Sequence, residues 1–296
     1  MYVVRAEYKT ARELGEQCFT LAQRVQDPAL LVEGHRALGQ CLYLLGELVP
    51  AREHLEQGIA LYGPQPHHSY TLLYWNDPGV VCRAWGAFAL WLLGYPDQAL
   101  KRTHEALTLA RELSHAYDLA VALGRAAMLH HFRQERRVTQ ERAEETITLA
   151  TEQGFPFFAV QGSILRGWAL AEQGQMEAGI AQIRQGLTTL RVMGIESSRP
   201  HNLALLAEAY GKAGQIEEGL AALTEALATI HRGERYFEAE LYRLKGELTL
   251  AQSSVQSLGS SVQKEAEECF LKGIEVARRQ QAKSLELRAV MSLARL

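Results

Sequence analysis

The chain has 296 residues, 47% hydrophobic and 22% charged, the balance of an ordinary folded domain rather than a disordered or fibrous one. A formal net charge of −3 argues against a nucleic-acid partner, which would require a clustered basic face. No charged-then-apolar leader opens the chain, and no apolar run reaches the ~18 residues of a membrane span.

In chain order, residues 1–27 read as a partial hairpin, a truncated helix running into a second one. Complete hairpins are expected at 28–62, 78–114, 115–154, 155–194, 195–233 and 235–281, and a further helix opens at 283–296. Gly94, Gly174 and Gly214 fall on one forty-residue register, with Gln134 filling the missing step. The same register relates Ala11 to Ala51, Leu109 to Leu149 and Gly154 to Gly194. Each unit reads as helix A, a tight turn, helix B and a second turn. Small residues at Gly39, Gly58, Gly167, Gly179, Gly186 and Gly219 would let paired helices approach closely, with Leu55, Ile183 and Leu223 filling the gaps between hairpins. The fold class is therefore all-α, a solenoid of stacked hairpins with no sheet.

Two stretches depart from the period. Gly46 and Gly94 are separated by eight residues more than the register allows, so 63–77 is an inserted loop. Its Tyr70, Leu72, Leu73, Tyr74 and Trp75 are unusually apolar for a surface loop, and it either tucks into a local gap or lies as a flap over a groove. Ser253 to Ser261 is rich in Ser and Gly and is expected to be a loop. Val290, Met291, Leu293 and Leu296 would expose an apolar stripe unless more chain follows, which suggests a region of a longer protein.

The spacing of small and apolar residues, small at the eighth and twentieth positions, apolar at the twenty-fourth and small again at the twenty-seventh, resembles the tetratricopeptide pattern. Its forty-residue period is similar to the variant found in maltose-activator-type bacterial regulators. Segments such as Gly94–Tyr95–Pro96–Asp97, Ile164 to Trp168, Leu203 to Gly214 and Glu238 to Gly246 resemble the C-terminal repeats of large bacterial signalling ATPases, often fused to a nucleotide cyclase. The resemblance covers nearly the whole chain. It implies a right-handed superhelix with the A helices lining the concave side.

Applied to this register, the pattern turns Arg36, Gln40 and Tyr43 inward from the first complete hairpin. Phe88, Trp91, Met128 and His131 follow from the next two, then Gln161 and Trp168, then His201, Glu208 and Lys212, and last Arg243 and Glu247. The expected groove thus has an aromatic middle and charged ends. The aromatics either form a docking patch or pack inside a tightly wound coil.

Motifs for chemistry are missing from the sequence. Gly211–Lys212 lacks both the leading glycine and the following Ser or Thr of a phosphate loop, and Gly162–Ser163–Ile164 has no strand feeding it. The pairs His67–His68 and His130–His131 point about 100° apart if helical and cannot jointly grip an ion. The four cysteines are far apart and fit small buried apolar residues in a reducing cytoplasm. No catalytic residue, cofactor or metal is therefore expected. The leading reading is a protein-interaction region of a bacterial cytoplasmic signalling protein, docking a peptide, a helix or a neighbouring domain, with neither nucleic acid nor membrane as partner. The alternative is an effector-sensing region that binds a small molecule and controls an attached ATPase, cyclase or transcription-activator domain.

Overall fold

A computed structural model describes residues 5, 7–63, 76–230, 233–256 and 260–296 of the chain. Among them are 14 helices and no strand. In order these are α1 (Tyr8–Val25), α2 (Pro28–Leu44), α3 (Leu48–Leu61), α4 (Pro78–Leu92), α5 (Pro96–Leu113), α6 (Ala116–Phe132), α7 (Arg136–Gln153) and α8 (Pro156–Glu172). Then come α9 (Met176–Val192), α10 (Arg199–Lys212), α11 (Ile216–Thr229), α12 (Glu238–Gln256), α13 (Ser260–Gln280) and α14 (Lys283–Leu293).

The starts are set locally. Asp27 Oδ1 accepts from the amides of Ala29 (2.8 Å) and Leu30 (3.3 Å), and Asp77 Oδ1 does the same for Gly79 (2.9 Å) and Val80 (3.1 Å). Each cap is followed by a proline whose fixed φ suits the first helical position. Asp77 also accepts from the Tyr62 hydroxyl at 2.9 Å, and its amide donates to Asp118 at 2.8 Å, so the two ends of the 63–77 insert are tied together. Residues 64–75, including the five apolar insert residues and His67–His68, lie outside the described residues.

Within each hairpin the turn repeats one hydrogen-bond pattern. The second amide of the turn reaches back five residues, as in Tyr95 N to Leu90 O (2.9 Å), Gln175 N to Leu170 O (2.9 Å) and Gln215 N to Tyr210 O (3.0 Å). The residue before it must adopt positive φ, which Gly94 (92°), Gly174 (90°) and Gly214 (73°) do without a side-chain clash. Gln134, on the same register, is driven to φ 59° and keeps the pattern, with Glu135 N bonding His130 O at 3.0 Å. The neighbouring hairpins thus impose a left-handed residue where the sequence offers a glutamine.

Helix pairs approach closely where the small residues fall. A Cβ added at Gly179 would lie 2.4 Å from Gly167 O, and one added at Gly167 would lie 2.8 Å from Gly179 O. At the other end, the stretch read as a Ser/Gly-rich loop is mostly helix. Helix α12 runs on to Gln256 and α13 begins at Ser260, with 257–259 outside the described residues. Ser and Gln cost only roughly a few tenths of a kcal/mol each inside a helix, so a packed helix can run on through them.

Hairpins stack in sequence order, each A helix against the next: α2 on α4, α4 on α6, α6 on α8, α8 on α10, α10 on α12 and α12 on α14. The fold is a tetratricopeptide-type α-solenoid. It is wound so tightly that its last elements return to its first. Arg235 N donates to Leu44 O at 2.7 Å, Tyr8 donates to Glu234 at 2.6 Å, and Ser284 on α14 donates to Trp91 O at 2.5 Å. Arg288 on α14 also donates to Phe132 O.

That return fills the concave side. Trp91 stacks on Phe132 at 5.1 Å, Phe132 stacks on Phe237 at 5.7 Å, and Tyr43 lies 4.7 Å from Tyr236. Phe88, Phe132, Tyr43 and Trp168 have at most 1% of their surface exposed, and Trp91 has 5%. Of the two readings of the aromatic middle, docking patch or packed coil, these side chains take the second and are interior.

Two outcomes follow. Gln134→Gly should raise stability by about 0.5–1 kcal/mol, because it relieves a left-handed backbone, and thermal unfolding reads this directly. Removing residues 234–296 at a hairpin boundary should not leave a shorter stable array. It uncovers Tyr43, Trp91 and Phe132, so the truncated chain should melt non-cooperatively or bind a hydrophobic dye. A sharp, dye-free melt of that fragment would contradict the closed arrangement.

Candidate functional site

Where the aromatic interior ends, towards the A-helix C-termini of the later hairpins, a cleft of about 390 Å³ remains open. It is lined by Glu172 at the end of α8, by Glu208 and Lys212 on α10, and by Arg243, Leu244, Glu247 and Leu248 on α12, with Gln134 at its edge. Four of the residues expected to face inward, Glu208, Lys212, Arg243 and Glu247, therefore come together in one place.

The walls are held by charge. Glu240 has no exposed side chain and receives both Arg243 (2.8 and 2.9 Å) and Arg288 from α14 (2.9 Å). Burial by itself would raise the Glu240 pKa, but the two guanidinium groups override it and hold the carboxyl at about 2. Glu240 also sits in the first turn of α12, where the helix dipole favours an anion. Arg243 is held charged in return, burial being outweighed by Glu240 and Glu247. Ser292 on α14 donates to Glu247 at 2.8 Å, which orients that carboxylate.

One layer deeper, the Trp168 indole N–H donates to Glu208, and His131 Nε2 lies 3.9 Å from the same carboxylate. Burial pushes the Glu208 pKa up, yet His131 and Arg243 together bring the net shift downward. His131 meets Trp168 edge-on at 4.5 Å and lies 5.1 Å from His201. Lys212 is over half exposed and reaches Glu172 at 3.4 Å. The cleft therefore offers a fixed acid–base lattice behind two more exposed charges, Lys212 and Glu247, with Leu244 and Leu248 beside them.

The remaining expected positions are elsewhere. Arg36 is half-buried against Glu33 and Gln40 on α2. Tyr43, Phe88, Trp91 and Met128 are buried in the concave interior rather than offered to a partner; Tyr236 covers Tyr43, and Ser284 and Arg288 of α14 cover Trp91. His201 packs on Phe237 at 4.8 Å. Gln161 is half-buried on α8, its amide nitrogen enclosed without a partner.

The register reading missed Gln134, Glu172, Arg288 and Ser292. Glu172 was accessible to it, since it stands forty residues before Lys212 and one helical turn after Trp168. Arg288 and Ser292 carried no such signal, because they arrive from a helix whose return across the concave side is a tertiary event. Among the described residues, no group of three His, Cys, Asp or Glu side chains is placed to hold a metal ion, and no helix is long and apolar enough to cross a membrane.

Among known proteins, no family model matches the chain. It is 22% identical over 241 residues to an uncharacterized protein of Rhizobium meliloti (strain 1021), a match covering 81% of this chain and 23% of that protein. The chain thus spans about a quarter of the length of that curated relative. Among solved structures, it is similar to the apo form of RapI, with a TM-score of 0.57 at 12% identity over 94% of this chain and 99% of the other. It is equally similar to the APC/C hetero-tetramer Cut9–Hcn1, with a TM-score of 0.57 at 15% identity over 97% of this chain and 47% of that one. These likenesses establish the solenoid fold.

Glu240→Gln should cost about 3 kcal/mol, since it leaves two half-buried guanidinium groups facing a neutral amide. The pH dependence has a defined sign. The folded carboxyl titrates near 2 and the unfolded one near its ordinary value of 4.5. Its contribution is therefore complete above about 4.5 and lost as pH falls towards 2. Melting temperature measured across that window should fall steeply for the natural chain and less steeply for the variant.

Proposed function

We propose that the chain is a protein-interaction region whose working surface is the cleft between α8, α10 and α12. The observation that supports this reading most is the division of labour within the cleft. Glu240, Arg243 and Arg288 are locked to one another, whereas Lys212 and Glu247 keep exposed surface beside Leu244 and Leu248. Such a surface suits a short peptide or helix that carries charges of both signs flanking one or two apolar side chains. The locked charges supply rigidity, and the exposed ones choose the register of the partner.

In this reading the chain is a regulatory segment of a larger bacterial signalling protein, and the partner is either a separate polypeptide or a neighbouring domain of the parent. The interior aromatics have no part in recognition. They hold the cleft walls at fixed spacing. Nucleotide chemistry in such a parent belongs to other domains.

The alternative, a small effector bound in the same cleft, is favoured by its size, since about 390 Å³ lies within the range of small-molecule sites. The two readings differ in what Lys212 contacts. A photo-crosslinking residue placed at Gly211 should capture a polypeptide under the first reading, and the same residue at Leu287 on the outer face of α14 should not.

Charge reversal tests the surface. Lys212→Glu and Glu247→Lys should each weaken capture by about tenfold or more; Lys212→Glu should leave the melting temperature within a degree or two because its side chain is over half exposed, whereas Glu247→Lys should also lower it, because it sets a cation against Arg243. Capture that is indifferent to both reversals would remove the cleft from the function.

A further inference from the structure

The cleft between α8, α10 and α12 divides into two parts by charge. On the α12–α14 side, Glu240 and Glu247 are met by Arg243 and Arg288, two carboxylates against two guanidinium groups, and the set is neutral. On the α8–α10 side, Glu172 and Glu208 share the cleft wall with Lys212, the one side chain there whose positive charge is fixed. That wall carries one negative charge more than its fixed cation matches.

The surplus sits at the deep end. Glu208 is mostly buried, and its Oε2 is taken by the Trp168 indole N–H. Its Oε1 has no donor among the described residues and is reached by solvent. The carboxyl is held ionised at neutral pH, because the downward pull of His131 and Arg243 exceeds the upward push of burial.

Behind that carboxylate stands His131, with only 1% of its surface exposed and neither ring nitrogen hydrogen-bonded. Its Nε2 lies 3.9 Å from Glu208 Oε2, too far for a hydrogen bond. Folded interiors leave few such polar atoms unpaired, and a neutral imidazole presents one acceptor nitrogen. At the inner end of an open cleft, a carboxylate oxygen and an imidazole are thus both short of a partner. A positively charged donor supplies the hydrogen bonds and cancels the surplus charge, whereas an acidic group does neither. Leu244 and Leu248 line the approach and suit the methylene stem of a long side chain, for which a cleft of about 390 Å³ has room.

We propose that the cleft takes up one basic side chain, a lysine or arginine of the partner polypeptide, whose head group reaches Glu208 between Glu172 and Glu247. This rests on the reading of the cleft as a protein-interaction surface and names what the partner carries there. The stem lies along Leu244 and Leu248. Lys212, over half exposed, meets an acidic residue of the partner and competes with the basic one for Glu172.

The test is isothermal titration of the full chain at about pH 8, above the ordinary imidazole range. The probes are blocked peptides Ala-Leu-Xaa-Leu-Ala in which Xaa is Lys, Arg, Gln or Glu. The Lys or the Arg peptide should bind saturably and about tenfold or more tighter than the Gln peptide, as a charge-assisted hydrogen bond requires, with the Glu peptide weakest. Glu208→Gln should abolish that preference. Because Glu208 also holds Trp168, Glu172→Gln carries the test if Glu208→Gln fails to fold, and it should narrow the preference by about two- to fivefold. Lys212→Gln should tighten the basic peptides, which have no acidic residue to lose, since it removes the competing cation. A purely structural role for the carboxylates would not produce a gain. No saturable binding by either basic peptide, no preference over Gln, or tightest binding by the Glu peptide would overturn the proposal. So would a preference indifferent to both carboxylate variants. Photo-crosslinking at Gly211 separates this failure from that of the broader reading. A captured polypeptide alongside a failed basic preference leaves the interaction surface standing and removes the basic side chain alone.

Discussion

Phe132 lies between Trp91 from an early hairpin and Phe237 from a late one, and most of what is distinctive about this solenoid depends on that stack. In an array where each hairpin touches only its neighbours, the concave side faces solvent and stability is a sum of local terms. Here residues 234–237 and α14 cross that side and remove Tyr43, Phe88, Trp91 and Phe132 from water. Each buried aromatic contributes on the order of 3–5 kcal/mol by the cost of its truncation, enough to rival a hairpin interface. The array then behaves as one closed unit with a shared interior.

Closure decides where charge can sit. A returning helix carries polar side chains into a low-dielectric space, and each must be matched. Arg288 and Ser292 of α14 meet Glu240 and Glu247 of α12, and Arg243 completes the set. This pairing leaves the exposed side chains of Lys212 and Glu247 at the mouth of a rigid cleft. Arg125, also at the centre, lies over the Trp85 ring, with Glu234 near enough to favour its charge though outside ion-pair distance.

Much of the hairpin architecture was legible in the sequence because its causes are local. A forty-residue recurrence of turn glycines, prolines in first turns and small residues at close approaches each act within a few residues of where they are read. Even Gln134 was identifiable as a turn position, since the register left it no other place. The Ser253 to Ser261 stretch was misjudged for a related reason. Composition favoured a loop, but helix propensities differ by only fractions of a kcal/mol, and the packed stem of α12 outweighed them.

What the sequence determined by itself was that the helices pair into hairpins stacked in order, because a recurring turn acts within a few residues of where it stands. Which side of each A helix faces inward, from Arg36 to Glu247, was an expectation carried by the tetratricopeptide resemblance laid on that register. What only the tertiary structure decided was whether inward means open or buried. That depends on the superhelical pitch, which accumulates small rotations between hairpins over the whole array and brings residue 235 onto residue 44. No single residue encodes such a sum, so the same aromatic positions read equally well as a docking groove or as a core until the ends of the solenoid are seen to meet.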